Sequence, residues 1–171
     1  MHDGFFTYLE RLESMAFFSG YPLIYAIVHF WGGNNQTKAG IKRRFIFLLP
    51  FSYALLGALY LGLQLKDLYP DYSFENIKLA MQEPYLKIWG ILAMLFWIPA
   101  LSKKPVLSLL HSFVFFFFLI RDLFLNFFQS TDKNVVRNDM KIYTDSLLLN
   151  IGTLAAVILI YFLAGKMKVK K

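Results

Sequence analysis

The sequence predicts an all-α integral membrane protein with five transmembrane helices, built as a single polytopic domain over residues 1–171. Hydrophobic residues make up 57% of the chain and aromatic residues 19%, whereas soluble domains average about 45–50% apolar residues. Five stretches are apolar enough to cross a bilayer, and the connections between them alternate between basic and acidic character. The predicted spans are residues 15–31, 45–65, 86–101, 105–128 and 146–165.

The distribution of charge predicts the orientation of these spans. The connections 32–44 and 102–104 and the tail 166–171 carry Lys and Arg but no acid, as is typical of cytoplasmic loops. Ten of the eleven acids lie on the other side, and Asp122 is the exception. The N-terminus is therefore predicted to lie outside and the C-terminus in the cytoplasm. Because these loops account for the net charge of +7, we expect no nucleic-acid partner.

The N-terminal part of the chain is predicted to contain an interfacial helix followed by the first span. Residues 4–14 place apolar and charged side chains on opposite faces at helical spacing, which favours a helix lying at the membrane surface. The first span carries Tyr21, Tyr25 and His29 four residues apart, and this spacing aligns their polar tips on one stripe. We interpret Tyr21 and Tyr25 as candidates to line a cavity.

The second and third spans are connected by the longest loop between spans. The second span has Ala54 and Ala58 at a spacing that favours close helix contact. The loop is predicted to form a short interfacial helix over residues 73–82, before Pro84. The third span is the shortest, at about 16 residues, and ends at Pro99. A tight turn then makes the third and fourth spans an antiparallel hairpin.

The fourth span is unusual because it contains His111, Arg121, Asp122 and Asn126. Charges inside a bilayer cost roughly 2.5–3.5 kcal/mol each on insertion scales, so they need partners. Arg121 and Asp122 point about 100° apart on a helix, and Asn150 in the fifth span is a further candidate partner. We interpret this intramembrane polar pair, with the two asparagines, as a contact that fixes helix packing or holds another subunit. Proton or ion handling is the alternative.

Two histidines on different spans, His29 and His111, are both predicted near the cytoplasmic ends of their helices. Two facing imidazoles can ligate haem b or a transition metal, and interhelical hydrogen bonds are the simpler alternative. Ser108 and Ser112 share a stripe of the fourth span with His111 and are further cavity candidates. No cofactor is firmly predicted. The chain has no cysteine, which excludes disulfides and thiolate metal sites.

The fifth span combines polar and small residues that favour helix–helix contact. Ser146, Asn150 and Thr153 lie on one stripe, and Gly152 and Ala156 have the spacing that allows two helices to approach closely. The Lys-rich tail that follows is typical of the positive segment that retains a last span, and it also suits contact with anionic lipids.

One resemblance to a known family is visible in spans two to five. Leu68-Tyr69-Pro70, then Gln82-Glu83-Pro84 before an aromatic-rich span, a His-bearing span and a Lys-rich tail resemble the four-helix domain of sterol isomerases and the sigma-2 receptor. The resemblance implies a membrane protein that binds a sterol-like ligand. That family holds a cationic ligand or intermediate with intramembrane acids, and spans two and three have no matching acids, so we assign no family.

The leading functional prediction is a non-catalytic integral subunit or scaffold of a larger membrane complex. Its expected partners are the lipid bilayer and a membrane protein or a second copy of the chain. One alternative is a haem b-binding anchor of a redox complex, and another is a transporter or a protein that binds a small hydrophobic ligand. Catalysis is not favoured, because no nucleophile, base and orienting group converge at one depth. A bacterial inner membrane and a eukaryotic endomembrane both fit this multi-pass protein.

Overall fold

A computed structural model describes residue 15 and residues 17–30, 36–70, 72–80, 84–129 and 133–169. In these ranges the chain is helical and contains no strand, which confirms the all-α prediction. The helices are α1 (Tyr21–Phe30), α2 (Gln36–Asp67), α3 (Phe74–Ala80), α4 (Pro84–Leu92), a 3₁₀ segment (Ala93–Trp97), α5 (Pro99–Ser102), α6 (Pro105–Gln129) and α7 (Lys133–Val169).

Two of these helices are long and apolar enough to cross a membrane by length and composition. They are the segments Gly40–Lys66 of α2 and Thr144–Gly165 of α7. The other three predicted spans correspond to shorter apolar helices, at Phe17–Phe30, Tyr85–Trp97 and Pro105–Arg121. These two candidate spanning helices support the membrane association that the composition predicts.

The two longest helices extend beyond their predicted spans. α2 begins at Gln36 and α7 at Lys133, so most of the connections predicted at 32–44 and 129–145 continue a helix. The polar stretch from Lys133 to Tyr143 contains no Gly or Pro, and without these residues nothing local ends a helix. Charge and hydropathy indicate where a helix leaves an apolar environment, whereas they do not indicate where the helix itself stops.

The third predicted span is broken into three short pieces. α4 ends at Leu92, five residues form a 3₁₀ segment, and Pro99 occupies the first turn of α5. Proline is accepted at this place because its missing N–H would have no partner in the first turn of a helix. The segment packs on α2 at Gly57, where a Cβ atom would lie only 2.8 Å from the backbone nitrogen of Met94. Glycine is therefore required for this close approach.

Contacts between aromatic rings show that α1 and α2 run antiparallel. The ring of Phe18, which precedes α1 in the same apolar helix, meets Tyr60 at a centroid distance of 5.2 Å. The ring of Tyr21, one turn later, meets Tyr53 at 4.4 Å. A rising number in one helix thus pairs with a falling number in the other. These four side chains are at most 1% exposed and form the centre of the core.

The two predicted interfacial helices have different outcomes. Residues 4–14 lie outside the described residues. The helix predicted at 73–82 appears as α3, Phe74–Ala80. Its first intrahelical bond runs from the N–H of Ile77 to the carbonyl of Ser73, over 3.0 Å, which is the position that a serine cap occupies. Phe74 on this helix is 81% exposed.

Candidate functional site: the His111 groove

A hydrogen bond between two side chains joins α2 to α6. The hydroxyl of Tyr53 lies 2.8 Å from Nδ1 of His111, and Tyr53 is fully buried in the core. Either the phenol donates to an unprotonated Nδ1 or a protonated Nδ1 donates to the phenol oxygen. In both cases the bond fixes the orientation of the imidazole ring between two helices.

Trp89 of α4 holds His111 from a second side. Its indole ring lies parallel to the imidazole, with centroids 4.4 Å apart and an angle of 4° between the planes. The indole N–H also donates to the carbonyl oxygen of His111, over 3.1 Å. The edge of Phe96, in the 3₁₀ segment, meets the imidazole at 5.7 Å. His111 is therefore clamped by residues from α2, α4 and the 3₁₀ segment.

The second ring nitrogen of His111 lacks a hydrogen bond of this kind within the described residues. Nε2 is buried and has no hydrogen-bond partner among the residues that the structure describes. A buried polar atom without a partner costs about 1–3 kcal/mol, so such atoms are uncommon in native structures and call for a physical explanation. A ligand atom would supply the missing hydrogen bond only after the side chains that cover Nε2 move aside, because no water-sized group reaches this atom.

His111 forms part of the wall of an apolar groove of about 490 Å³. This volume lies within the 300–1,000 Å³ typical of small-molecule sites. The groove is open along one side rather than enclosed, and Leu92, Leu95 and Leu110 of its wall are between 38% and 57% exposed. Its lining consists of His111 and seven apolar side chains, namely Trp89, Leu92, Leu95, Phe96, Leu101, Leu107 and Leu110.

The four residues predicted to line a cavity are buried between the helices, and their role in a cavity stays a prediction. Tyr21 donates to Oγ of Ser108 over 2.7 Å, because the Ser108 hydroxyl proton is used in its own bond to the carbonyl of Pro105. Ser112 donates to the carbonyl of Leu109. The ring of Tyr25 stacks on His29 at 6.2 Å. None of these four residues is among those that line the groove.

The two histidines proposed to share a ligand lie at different levels. Phe18 stacks on Phe115 at 4.6 Å and Tyr21 bonds Ser108, so the apolar helix that contains α1 runs antiparallel to α6. His29 is eight residues beyond Tyr21, and His111 is three residues beyond Ser108 in the opposite direction. At 1.5 Å per residue this separates the histidines by about 17 Å along the helix axes. The geometry thus gives no support to a shared haem, which stays a prediction.

The intramembrane polar pair can be placed only in part. The guanidinium of Arg121 lies over the ring of Phe118, 5.3 Å from its centroid, whereas the side chains of Asp122 and Asn126 lie outside the described residues. Nδ2 of Asn150 donates to the carbonyls of Phe17 and Ser146. Asn150 therefore joins α7 to the helix that contains α1.

Two site residues were not found from the sequence, Tyr53 and Trp89. Tyr53 and Tyr60 are seven residues apart on the second span, a spacing that puts both on one helix face, and this signal could have indicated Tyr53. Nothing in the sequence indicates the stacking of Trp89 on His111, because the break at the 3₁₀ segment decides which way α4 presents its side chains.

The chain was compared with protein families, curated proteins and solved structures. No family model, no curated protein and no solved structure matches the chain. The described ranges also contain no group of three His, Asp or Glu side chains placed to hold a metal ion.

Proposed function

We propose that the protein is a multi-pass membrane protein with five spans, its N-terminus outside and its C-terminus in the cytoplasm. The alternation of basic and acidic connections supports this topology. So does the antiparallel pairing of the apolar helix Phe17–Phe30 with α2 and with α6, because both pairings follow from one crossing in each direction. A bacterial inner membrane or a eukaryotic endomembrane suits this topology.

We further propose that it binds a small hydrophobic molecule, taken up from the bilayer into the His111 groove. The observation that carries this proposal is an open groove of about 490 Å³ with a single polar side chain in an otherwise apolar lining. Ligand sites are mostly apolar, with a few polar groups that orient the ligand. Because exposed leucines form one wall, a lipid-soluble molecule can enter without passing through water.

The role of His111 in this proposal is recognition. A groove lined by leucine and aromatic rings provides hydrophobic affinity but little selectivity, since it cannot strongly reject a molecule of similar shape. An imidazole with one nitrogen already bonded to Tyr53 has its orientation fixed before binding, which lowers the entropy cost of a bond to the ligand. A hydroxyl or carbonyl group on the ligand would be a suitable partner.

The proposal is tested by extracting lipids from protein purified in mild detergent and measuring them by mass spectrometry. The wild-type protein is expected to retain a hydrophobic molecule in near-stoichiometric amount. The variant Leu110→Trp, which fills the groove, should retain at least about tenfold less, a loss of about 1.4 kcal/mol in binding.

Leu159→Trp is the matched control, because Leu159 on α7 is 60% exposed, like Leu110 at 57%, and does not line the groove. It should retain the molecule at the wild-type level. Equal retention by both variants, or no retained molecule in the wild-type protein, would contradict ligand binding in the groove.

The prediction of a non-catalytic subunit of a larger complex stands beside this proposal. It depends on the charge of Asp122, which has to be matched by some partner inside the bilayer. The described part of the chain adds no contact in its favour, so a partner protein or a second copy remains a prediction. A transport role likewise depends on Asp122.

A further inference from the structure

Two lysines stand at one end of the His111 groove. Lys103 and Lys104 form the turn between α5 and α6, and both are exposed. In the part of the chain that the structure describes, neither side chain takes part in an ion pair or a hydrogen bond. Two adjacent positive charges at this position are therefore available to a ligand.

The backbone ties these lysines to the wall of the groove. The N–H of Lys104 donates to the carbonyl of Leu101 over 3.0 Å, and the N–H of Leu107 donates to the carbonyl of Lys104 over 2.9 Å. Leu101 and Leu107 are both lining residues. The turn is therefore held against one end of the groove, while its walls extend away from the lysines along α4 and α6.

We infer that the groove accepts one acyl chain of an anionic phospholipid, whose phosphate binds Lys103 and Lys104. This inference rests on the proposed function and gives it a ligand class. Lysine binds phosphate as a point charge, without the planar geometry that arginine imposes. A water-sized group takes up roughly 30 Å³, so a groove of about 490 Å³ has room for part of one acyl chain.

The depths of the two lysines and of His111 in the proposed membrane fit a bound phospholipid. In the proposed topology the lysine turn lies at the cytoplasmic surface, where anionic lipids supply the phosphates and attract basic residues. His111 lies seven residues beyond Lys104, about 10 Å deeper along α6. The head of the lipid would thus meet the lysines, the ester carbonyl of its chain would be the group that accepts from His111, and the rest of the chain would pass the Trp89 ring.

The intrinsic fluorescence of Trp89 provides a direct test. The chain has three tryptophans, so Trp31→Phe with Trp97→Phe leaves Trp89 as the single reporter. This double variant is reconstituted into two sets of phosphatidylcholine vesicles. One set contains a small fraction of phosphatidylglycerol with brominated chains, and the other contains an equal fraction of phosphatidylcholine with brominated chains. Bromine quenches an indole only at close range. Quenching should be stronger with brominated phosphatidylglycerol.

Neutralising the turn should remove that preference. Lys103→Gln with Lys104→Gln is expected to lower the apparent affinity for the anionic lipid by about fivefold for each lysine. Arg43→Gln with Arg44→Gln is the matched control, since it removes the same charge from exposed residues on the same side of the proposed membrane and should leave the preference unchanged. If both double variants lose the preference equally, general surface charge explains it and the inference is wrong.

The outcomes separate the two proposals. Equal quenching by the two brominated lipids would overturn the inference and leave ligand binding in the groove intact. No quenching by either lipid would contradict the groove itself. A brominated free fatty acid that quenches Trp89 in preference to brominated phosphatidylglycerol would also overturn the inference, because the occupant would then be a carboxylate and not a phospholipid.

Discussion

At the level of single residues, the bond between Tyr53 and His111 is the contact whose loss should be measurable most directly. It joins α2 to α6 inside the core, and in the described part of the chain it gives the imidazole side chain its polar partner. Hydrogen bonds between membrane helices average about 0.6 kcal/mol and reach about 1.7 kcal/mol. Loss of the Tyr53 hydroxyl also leaves Nδ1 of His111 without a hydrogen-bond partner, which lowers the free energy of unfolding further.

We therefore predict that Tyr53→Phe lowers the free energy of unfolding by about 1 kcal/mol. The measurement is an unfolding titration with a denaturing detergent, followed by circular dichroism. The ring is retained, so its contacts with Phe18, Tyr21 and Phe96 should persist.

Tyr161→Phe is the control for this substitution. Tyr161 is 44% exposed, and its ring contacts Phe162, so removing its hydroxyl should change stability by no more than the experimental error. An equal effect of the two substitutions would show that the Tyr53 hydroxyl contributes nothing specific.

The site was predictable at residue scale only in part. His111 stands out in the sequence because it is a titratable residue inside an apolar span, where a polar side chain needs a partner. The sequence groups His111 with His29 as possible ligands of one haem or metal and gives interhelical hydrogen bonds as the simpler alternative, and in the structure His111 bonds Tyr53 of α2. Tyrosine is common in apolar helices and carries no charge, so it gives no composition signal that distinguishes Tyr53 from the other tyrosines.

At the scale of elements, the contact between α2 and the 3₁₀ segment depends on Gly57. A Cβ atom there would lie 2.8 Å from the Met94 nitrogen and 3.0 Å from the Ala93 Cβ. Both neighbours are fixed, one being backbone and the other the first side-chain atom, so the two elements would have to separate.

We predict that Gly57→Ala destabilises the protein by about 1–3 kcal/mol, the cost of overpacking in a tight core. Gly62→Ala, five residues further along the same helix, has no atom within 4 Å of the added Cβ. It should be neutral or stabilising by up to about 1 kcal/mol, because alanine favours a helix over glycine. The measurement is the thermal unfolding midpoint of both variants in the same detergent. A Gly57→Ala protein as stable as Gly62→Ala would contradict the packing argument.

Small residues were predicted at helix contacts, and the structure distinguishes among them. The second span does use its cluster, where Ala54 is buried and Gly57 meets the 3₁₀ segment. Gly152 in the fifth span is exposed, and a Cβ there would meet nothing within 4 Å. Spacing alone cannot tell these cases apart, because a stripe of small residues suits a helix neighbour, a second protein or a lipid equally well.

At the scale of the whole molecule, the absence of cysteine makes the proposed topology easy to test. Single cysteines introduced at exposed positions can be labelled with a membrane-impermeant maleimide without background. With the protein expressed in the inner membrane of a bacterium, we predict that Glu75→Cys and Asp145→Cys are labelled in intact cells, and that Arg43→Cys and Lys103→Cys are labelled only after permeabilisation. Leu159→Cys, in the apolar part of α7, should resist labelling in both conditions.

Lys103→Cys is the decisive position among these. If the segment from α4 to α5 enters the membrane and returns to the same side, Lys103 shares the compartment of Glu75, and both would be labelled in intact cells. That result would overturn the five-span topology while leaving the helical fold unaffected.

The fold class was predictable because composition and the spacing of apolar residues report directly on helices in an apolar environment. The extension of α2 and α7 beyond their apolar parts was not predictable, since polar residues can also favour a helix. The groove was also not predictable. It is lined by residues of α4, the 3₁₀ segment, α5 and α6, and the packing of separate elements around a groove is a tertiary property that no single segment encodes.

The 3₁₀ segment also affects how the third predicted span matches the thickness of a bilayer. A 3₁₀ helix rises about 2.0 Å per residue against 1.5 Å in an α-helix, so five residues extend about 2.5 Å further than they would as an α-helix. This is the shortest predicted span, and hydrophobic mismatch costs a fraction of a kcal/mol for each Å. In the proposed topology the extra rise would lower, without removing, the mismatch of a span that is shorter than the roughly 30 Å hydrocarbon core of a bilayer.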